Sequence, residues 1–327
     1  MKAAVVTRYG GPEVFEIREM PLPHPWPGQV LIEVAYAGLN YADLTARQGT
    51  YMARPVPFVP GYEVSGMVQA LGEGVESLKV GERVAALTVH SGYAEFALAQ
   101  AALTFPLDIV AKNVDFAQAG AFPAVAITAY DLLTRAARLS HGESVLMHAA
   151  SGGVGIAAGQ IAQALGAGLV LGTTSSQDKA DYALTYGYDQ VFPLEGFENK
   201  VMEATNGQGV DIALDARGEP TRSQNLALLA TFGRLVVFGN ASGNPEKPVS
   251  PTELLRGNKA IVGYSITALS QTAPHLVAET AQKVLGLMSK GGLKMAISAT
   301  FPLEEIAEAH RHMESGSHLG KLMLKVK

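Results

Sequence analysis

Two hydrophobic periodicities divide the chain. From Met1 to about Pro106 the apolar residues come in short runs with β-like alternation: Ala3–Val6, Val14–Ile17, Val30–Tyr36, Val64–Leu71, Arg83–Leu87 and Ala94–Ala99. Gly- and Pro-bearing turns separate them, and the pattern predicts an all-β body. Prolines at 21, 23, 25 and 27 deny this stretch a continuous ladder of backbone donors, so it is expected to be an extended surface connection around Trp26. From Asp115 to Leu139 the spacing turns helical, with a break at Pro123. Beyond it, strand-like runs at Ser144–His148, Leu169–Thr173, Gln190–Phe192, Asp211–Asp215, Arg234–Phe238 and Ala260–Tyr264 are interleaved with helical patterns at Val154–Leu165, Ser176–Tyr186, Glu198–Thr205 and Thr221–Ala230. Such βα alternation predicts a doubly wound parallel sheet. A helix over Pro274–Met288, a strand over Met295–Ala299, a helix over Pro302–Met313 and a strand over Lys321–Val326 are expected to return to the first domain.

The 327 residues exceed what one core usually encloses, which favours two domains. A formal charge of −5 offers no general attraction to a phosphate backbone or an anionic membrane, so nucleic acid is a poor default partner. The absence of cysteine removes disulfides, thiolate metal ligands and thiol nucleophiles together. Met1-Lys2-Ala3-Ala4-Val5-Val6 resembles a first strand rather than a signal peptide, and no apolar run reaches membrane-spanning length. A soluble, cytoplasmic protein is expected.

The candidate chemistry begins at His148-Ala149-Ala150-Ser151-Gly152-Gly153-Val154-Gly155, between the first strand and the first helix of the βα series. Ala149, Gly152 and Gly155 have the A-x-x-G-x-x-G spacing that lets backbone N–H groups and a helix N-terminus approach a pyrophosphate. By itself that spacing also suits an ordinary glycine-rich connection; its place after the first strand favours a dinucleotide turn. After the next strand, where an NAD site commonly has an acidic residue, stand Thr173, Thr174, Ser175 and, four residues on, Lys179. Hydroxyls followed by a lysine suit a 2′-phosphate and favour NADPH. Ser175 and Asp178 are also spaced to form a capping box for the following helix. Later, Phe238-Gly239-Asn240 ends another strand, as a wall for the nicotinamide half or as a plain turn.

With these segments placed, the whole chain resembles the medium-chain dehydrogenase/reductase superfamily, and within it the zinc-independent quinone oxidoreductase branch that includes zeta-crystallin-like and vesicle amine transport-like members. The resemblance rests further on Ala37-Gly38-Leu39-Asn40-Tyr41-Ala42-Asp43, Arg47-Gln48-Gly49-Thr50-Tyr51, Val59-Pro60-Gly61-Tyr62-Glu63-Val64-Ser65-Gly66, Leu71-Gly72-Glu73-Gly74-Val75, Gly81-Glu82-Arg83-Val84 and Gly320-Lys321. It implies an α/β protein: a GroES-like, mostly-β catalytic domain over 1–122 and 266–327, and a Rossmann NADP(H)-binding domain over 123–265. It implies that Ser151, Gly152, Gly153 and Val154 hold the pyrophosphate and that Lys179 meets the 2′-phosphate, with Gly155 of the glycine motif and the hydroxyls of Thr174 and Ser175 as the neighbouring cofactor-binding candidates read from the residues. Phe238, Gly239 and Ser265 would approach the nicotinamide, beside Asn240 of the strand end described above, Thr128 would lie near its carboxamide, and Tyr51 would reach the cofactor from the first domain. One departure is Leu194, where several relatives place Tyr or His beside the adenosine phosphate. Zinc-dependent relatives carry Gly-His-Glu, a catalytic cysteine and a four-cysteine lobe; here stand Gly61-Tyr62-Glu63 and no cysteine, so no metal site is expected and Glu63 is expected in the polar core or at a domain interface.

Without a metal or a nucleophile triad, the economical reaction is hydride transfer from reduced nicotinamide to a quinone or α,β-unsaturated carbonyl. Charge then develops on oxygen, where a donor would lower the barrier. Asn40, Tyr41 and Tyr51 are the candidate catalytic residues, with packing and helix capping by Asp43 as the alternative for this segment. Two other functions remain open at this level: reduction of enoyl thioesters, and a crystallin- or RNA-binding-type role with NADPH bound but little catalysis. The family resemblance also implies a homodimer through edge strands of the nucleotide domain.

Overall fold

The six short apolar runs near the start of the chain become β1 (Lys2–Val6), β2 (Phe15–Glu19), β3 (Gln29–Gly38), β4 (Glu63–Leu71), β5 (Arg83–Leu87) and β6 (Phe96–Gln100), and a short strand outside those runs, β7 (Thr104–Pro106), follows. The βα series supplies β8 (Ser144–His148), β9 (Leu169–Thr174), β10 (Gln190–Pro193), β11 (Val210–Asp215), β12 (Leu229–Val237) and β13 (Ala260–Gly263), and the chain ends in β14 (Ile297–Pro302) and β15 (Lys321–Lys325). A computed structural model describes residues 1–51, 54–88 and 91–327, which divide into Met1–Ile127 with Ile266–Lys327, and Thr128–Ser265.

In the first unit one sheet runs β14-β15-β3-β4-β5-β7, with β6 also paired to β3, and β1 and β2 form a separate antiparallel pair. Alternation along β3 turns Val30, Ile32 and Val34 into a core shared with Val64, Val68, Val84, Leu322 and Leu324. The antiparallel register sets Met323 opposite Gly38. Two residues back along β15 and two forward from Gly38, the same register brings Lys321 level with Asn40. The unit is mostly β, as the resemblance implies, but Met1–Pro106 is not all-β, because the helix Tyr41–Gln48 lies within it. Helices Phe116–Ala121 and Pro274–Ser289 also belong to the unit, as does Ile266–Thr272, which the apolar pattern does not reveal. β14 starts at Ile297 rather than Met295 because Met295 is already engaged: its N–H donates to Gln118 Oε1 and its carbonyl accepts from Gln118 Nε2, both at 2.9 Å.

In the second unit all pairings are parallel, in the order β10-β9-β8-β11-β12-β13. The chain winds outward from β8 in one direction, then from β11 in the other, so the strand order reverses between β8 and β11. Ligands of open parallel sheets bind at such a reversal, outside the carboxyl ends of the strands. A further unforeseen helix, Pro251–Gly257, is initiated by Ser250, whose Oγ accepts from Thr252 N at 3.2 Å, and stopped by left-handed Asn258. Among the described residues no helix is long and apolar enough to cross a membrane.

Candidate functional site

At the end of β8 the buried His148 is clamped between Thr173 Oγ1 at 2.8 Å and Asn225 Oδ1 at 2.7 Å, and burial holds its imidazole below the ordinary pKa. The chain then turns through left-handed Ala149, whose carbonyl accepts from Gly152 N at 2.9 Å, into the helix Gly153–Ala164. Gly152 is the N-cap residue and supplies no side-chain cap. The first-turn donors are thus offered to a ligand, with the positive end of the helix dipole behind them. A Cβ on Gly155 would lie 2.4 Å from the carbonyl oxygen of Ala149 and 2.6 Å from that of Ala150, so only glycine lets helix and turn meet this closely. Tyr188, unforeseen from sequence, supports the turn from below: its hydroxyl donates to Gly155 O at 2.6 Å. Its ring fills the space that the missing side chains of Gly159 and Gly172 leave.

β9 ends in buried Thr174, whose hydroxyl donates to Ser176 O at 3.1 Å, followed by exposed Ser175. The expected capping box between Ser175 and Asp178 does not form. The helix starts one residue later, at Gln177 with Ser176 as N-cap, and Ser175 Oγ instead accepts from Lys179 Nζ at 3.3 Å. The Ser175 hydroxyl, just ahead of the helix, and the Lys179 ammonium, in its first turn, therefore stand side by side, an arrangement favourable to a phosphate and unfavourable to a second cation. Leu194 is half-buried against the apolar core of this unit, its N–H donating to Thr174 O at 3.0 Å.

A buried carboxylate, also missed in the sequence, organises the next two strand ends. Asp215, the last residue of β11, accepts from Arg217 N at 2.8 Å, Gly218 N at 3.2 Å and Arg222 Nε at 2.8 Å. Arg222 in turn donates to Gly239 O at 2.6 Å and pairs with Glu246. Gly239 is thereby fixed from behind by a charged group. Asn240, exposed beside it, accepts from Ser242 Oγ at 3.1 Å and donates to Asn244 O at 3.2 Å. Phe238 precedes this pair at the end of β12, and Ser265 is exposed just after β13. Thr128, on the helix Val125–Asp131, hydrogen-bonds to Tyr264, the residue that follows β13, whose hydroxyl donates to Asp131 at 3.1 Å. So Ser151–Gly155, Thr174, Ser175, Lys179, Phe238–Asn240 and Ser265 all follow carboxyl ends of one parallel sheet. An uncapped helix start, a glycine contact that a Cβ would block, and a serine–lysine pair make a donor set suited to the phosphates of a dinucleotide.

The other candidates belong to the first unit. Asn40 is the N-cap of Tyr41–Gln48, and its N–H donates to Asp43 at 3.1 Å. Asp43 is buried and also accepts from Gly61 N and the Tyr93 hydroxyl, both at 2.9 Å; burial outweighs these donors and pushes its carboxyl up to about 7. Tyr41 and Tyr51 are exposed, at 54% and 58%, whereas the Asn40 amide is engaged in protein contacts. Glu63 is fully buried in the polar core: Asn40 Nδ2 donates to it at 3.0 Å, Ala124 N at 2.7 Å, and Lys321 forms an ion pair with it. Tyr62 is buried beside it, shares a hydrogen bond with Thr267, and lines a cavity of about 20 Å³ with Leu87, Ala124, Ile266 and Ser270. Among the described residues no three His, Asp or Glu side chains cluster as metal ligands.

Comparison with known proteins accords with this geometry. Residues 26–122 match the family described as alcohol dehydrogenase GroES-like domain, and residues 153–289 match zinc-binding dehydrogenase. The chain is 36% identical to a quinone oxidoreductase of Homo sapiens, the match covering 99% of this chain and 97% of that protein. Escherichia coli quinone oxidoreductase, solved in complex with NADPH, superposes with a TM-score of 0.91 at 29% identity, covering 100% of both chains. A mycobacterial structure complexed with NADPH gives a TM-score of 0.91 at 33% identity, again covering 100% of both.

Proposed function

This chain belongs to the quinone oxidoreductase branch of the medium-chain dehydrogenase/reductase superfamily, and from that we infer that it is an NADPH-dependent reductase of quinones or α,β-unsaturated carbonyls. The observation that carries the reading is the pairing of full-length similarity to quinone oxidoreductases with a phosphate-suited donor set on one sheet edge.

In this reading Ser151, Gly152, Gly153, Val154 and Gly155 hold the pyrophosphate with backbone donors, and Lys179 with Thr174 and Ser175 binds the 2′-phosphate. Phe238, Gly239, Asn240, Ser265, Thr128 and Tyr51 bound the nicotinamide half. Bound NADPH supplies a hydride. The protein's own part is to orient the acceptor and to place a donor at its carbonyl oxygen, where negative charge accumulates. Tyr41 and Tyr51, both exposed residues, carry hydroxyls of the chemistry to do this and to return a proton.

Homodimerisation and cytoplasmic action complete the proposal. β13 is one of the two edge strands of the parallel sheet, paired to β12 on one side, and Phe232 and Leu255 in the same unit are 74% and 76% exposed. An uncovered edge with neighbouring apolar side chains favours pairing with a second copy.

The test is NADPH oxidation, followed by nicotinamide absorbance, against quinones, short enones and enoyl thioesters, with NADH as comparator. Turnover on quinones or enones supports the reading. Turnover on enoyl thioesters alone would transfer the activity to that substrate class, and NADPH binding with no turnover at all would count against an enzyme.

A further inference from the structure

The buried cation of the first unit suggests an assignment for Asn40 different from donating to substrate. Lys321 is 3% exposed, and its ammonium donates to Leu39 O at 2.8 Å and Asn40 Oδ1 at 2.6 Å while pairing with Glu63. Three donors therefore meet three acceptors, and none remains for solvent. The Asn40 amide is consumed from its other end too: Nδ2 donates to Glu63 Oε1 at 3.0 Å and, more weakly, to Gly38 O at 3.4 Å. Both N–H bonds of that amide thus point into protein. Glu63 Oε2 closes the cluster by accepting from Ala124 N at 2.7 Å.

Resting on the reductase reading above, we propose that Lys321, Glu63 and Asn40 form a buried positioning network that locks the start of the segment carrying Tyr41 and Tyr51. Asn40 is a positioning residue in this account and has no donor to spend on the acceptor. The network joins the end of β3, the first residue of β4, the chain before the helix Val125–Asp131 and the first residue of β15, so the segment is fixed from four directions. The Asn40 backbone adds a fifth tie through Asp43, itself held by Tyr93 and Gly61. Fixing the entry of a short helix this tightly sets where Tyr41 on it and Tyr51 just beyond its end stand, and misplacing a catalytic group by about 1 Å costs roughly 100-fold in rate.

The decisive experiment is a double-mutant cycle with Asn40→Ala and Lys321→Met, read in two ways. Steady-state kinetics with NADPH and a quinone should show kcat falling roughly 10- to 100-fold in each single variant, with KM for NADPH changing far less, since Tyr51 is one of several residues bounding the nicotinamide half. The double variant should be no worse than the poorer single one, since both remove the same link. Amide hydrogen exchange on the cofactor-free protein should accelerate over residues 39–48 in all three variants and stay at the wild-type level in β8–β13. Should Lys321→Met leave too little folded protein, the charge-neutral pair Lys321→Met with Glu63→Gln takes its place in the cycle. Losses in kcat that multiply, or unchanged exchange over 39–48, would overturn the proposal. A wild-type protein that turns over no acceptor would refute the reductase reading instead, and the exchange pattern would still decide the positioning claim.

Discussion

Lys179 and Gly155 serve the nucleotide reading by opposite means, one by a charge and the other by the lack of a side chain. Lys179→Ala removes the ammonium beside Ser175, a charge-assisted contact to a phosphate worth about 1.5–3 kcal/mol. NADPH affinity should fall roughly 10- to 100-fold by titration calorimetry while NADH affinity hardly changes; equal losses would contradict the assignment. Gly155→Ala drives a methyl group against two backbone oxygens, which cannot rotate away. It should cost about 1–3 kcal/mol in denaturant unfolding and weaken both nucleotides alike. Both positions are legible in the sequence because their reasons are local: a spacing within one turn and a basic residue within one helical turn. Asp215, Arg222 and Tyr188 are not, since Tyr188 meets Gly155 across 33 residues and no periodicity marks it as the prop. The Ser175–Asp178 box fails for a similarly small reason, a helix that begins at Gln177 and leaves Ser175 outside it.

At the level of elements, strand register decides which charges meet. Lys321 reaches Asn40 across 281 residues only because β15 lies antiparallel to β3 with Met323 opposite Gly38. A reader of the sequence sees Gly320-Lys321 but not its partner. Removing one member of a buried pair leaves an uncompensated charge, so Lys321→Met should destabilise the fold by about 3–5 kcal/mol, and adding Glu63→Gln should restore a large part of it. Contact between two helices makes a second prediction. Arg47, fully buried at the end of Tyr41–Gln48, pairs with Glu314 and lies 3.4 Å from His310 on the helix Ile306–Glu314. Burial first, and the Arg47 cation second, push His310 down to about 3 from an ordinary 6.5. The unfolded chain protonates this histidine below pH 6.5 and the folded chain resists, so its contribution is complete above that pH and is lost as pH falls towards 3. Asp43 acts in the opposite sense: its raised carboxyl favours the fold at low pH, and that share is lost as pH rises from 3.8 to about 7. His310→Gln should therefore flatten the acid limb of the melting-temperature profile relative to wild type. Parallel profiles would show that His310 titrates normally in the fold.

For the molecule as a whole, the change from short alternating runs to βα alternation near Asp115 is enough to foresee two kinds of sheet. Burial on one face writes a period of two, whereas crossover helices on both faces write strand–helix repeats. Helices without a long apolar face, Pro251–Gly257 and Ile266–Thr272, leave no such trace, although Ser250-Pro251 is a start signal in hindsight. Association through β13 should appear in sedimentation as a dimer that Phe232→Glu with Leu255→Glu shifts towards monomer; a monomeric wild-type protein would refute it. The central claim is the reaction, and one measurement meets it directly: NADPH consumption by the purified wild-type chain with a panel of quinones and enones, beside NADH. The account predicts acceptor-dependent oxidation of NADPH that is markedly faster than that of NADH. It is contradicted if NADPH binds and no quinone or enone draws hydride from it.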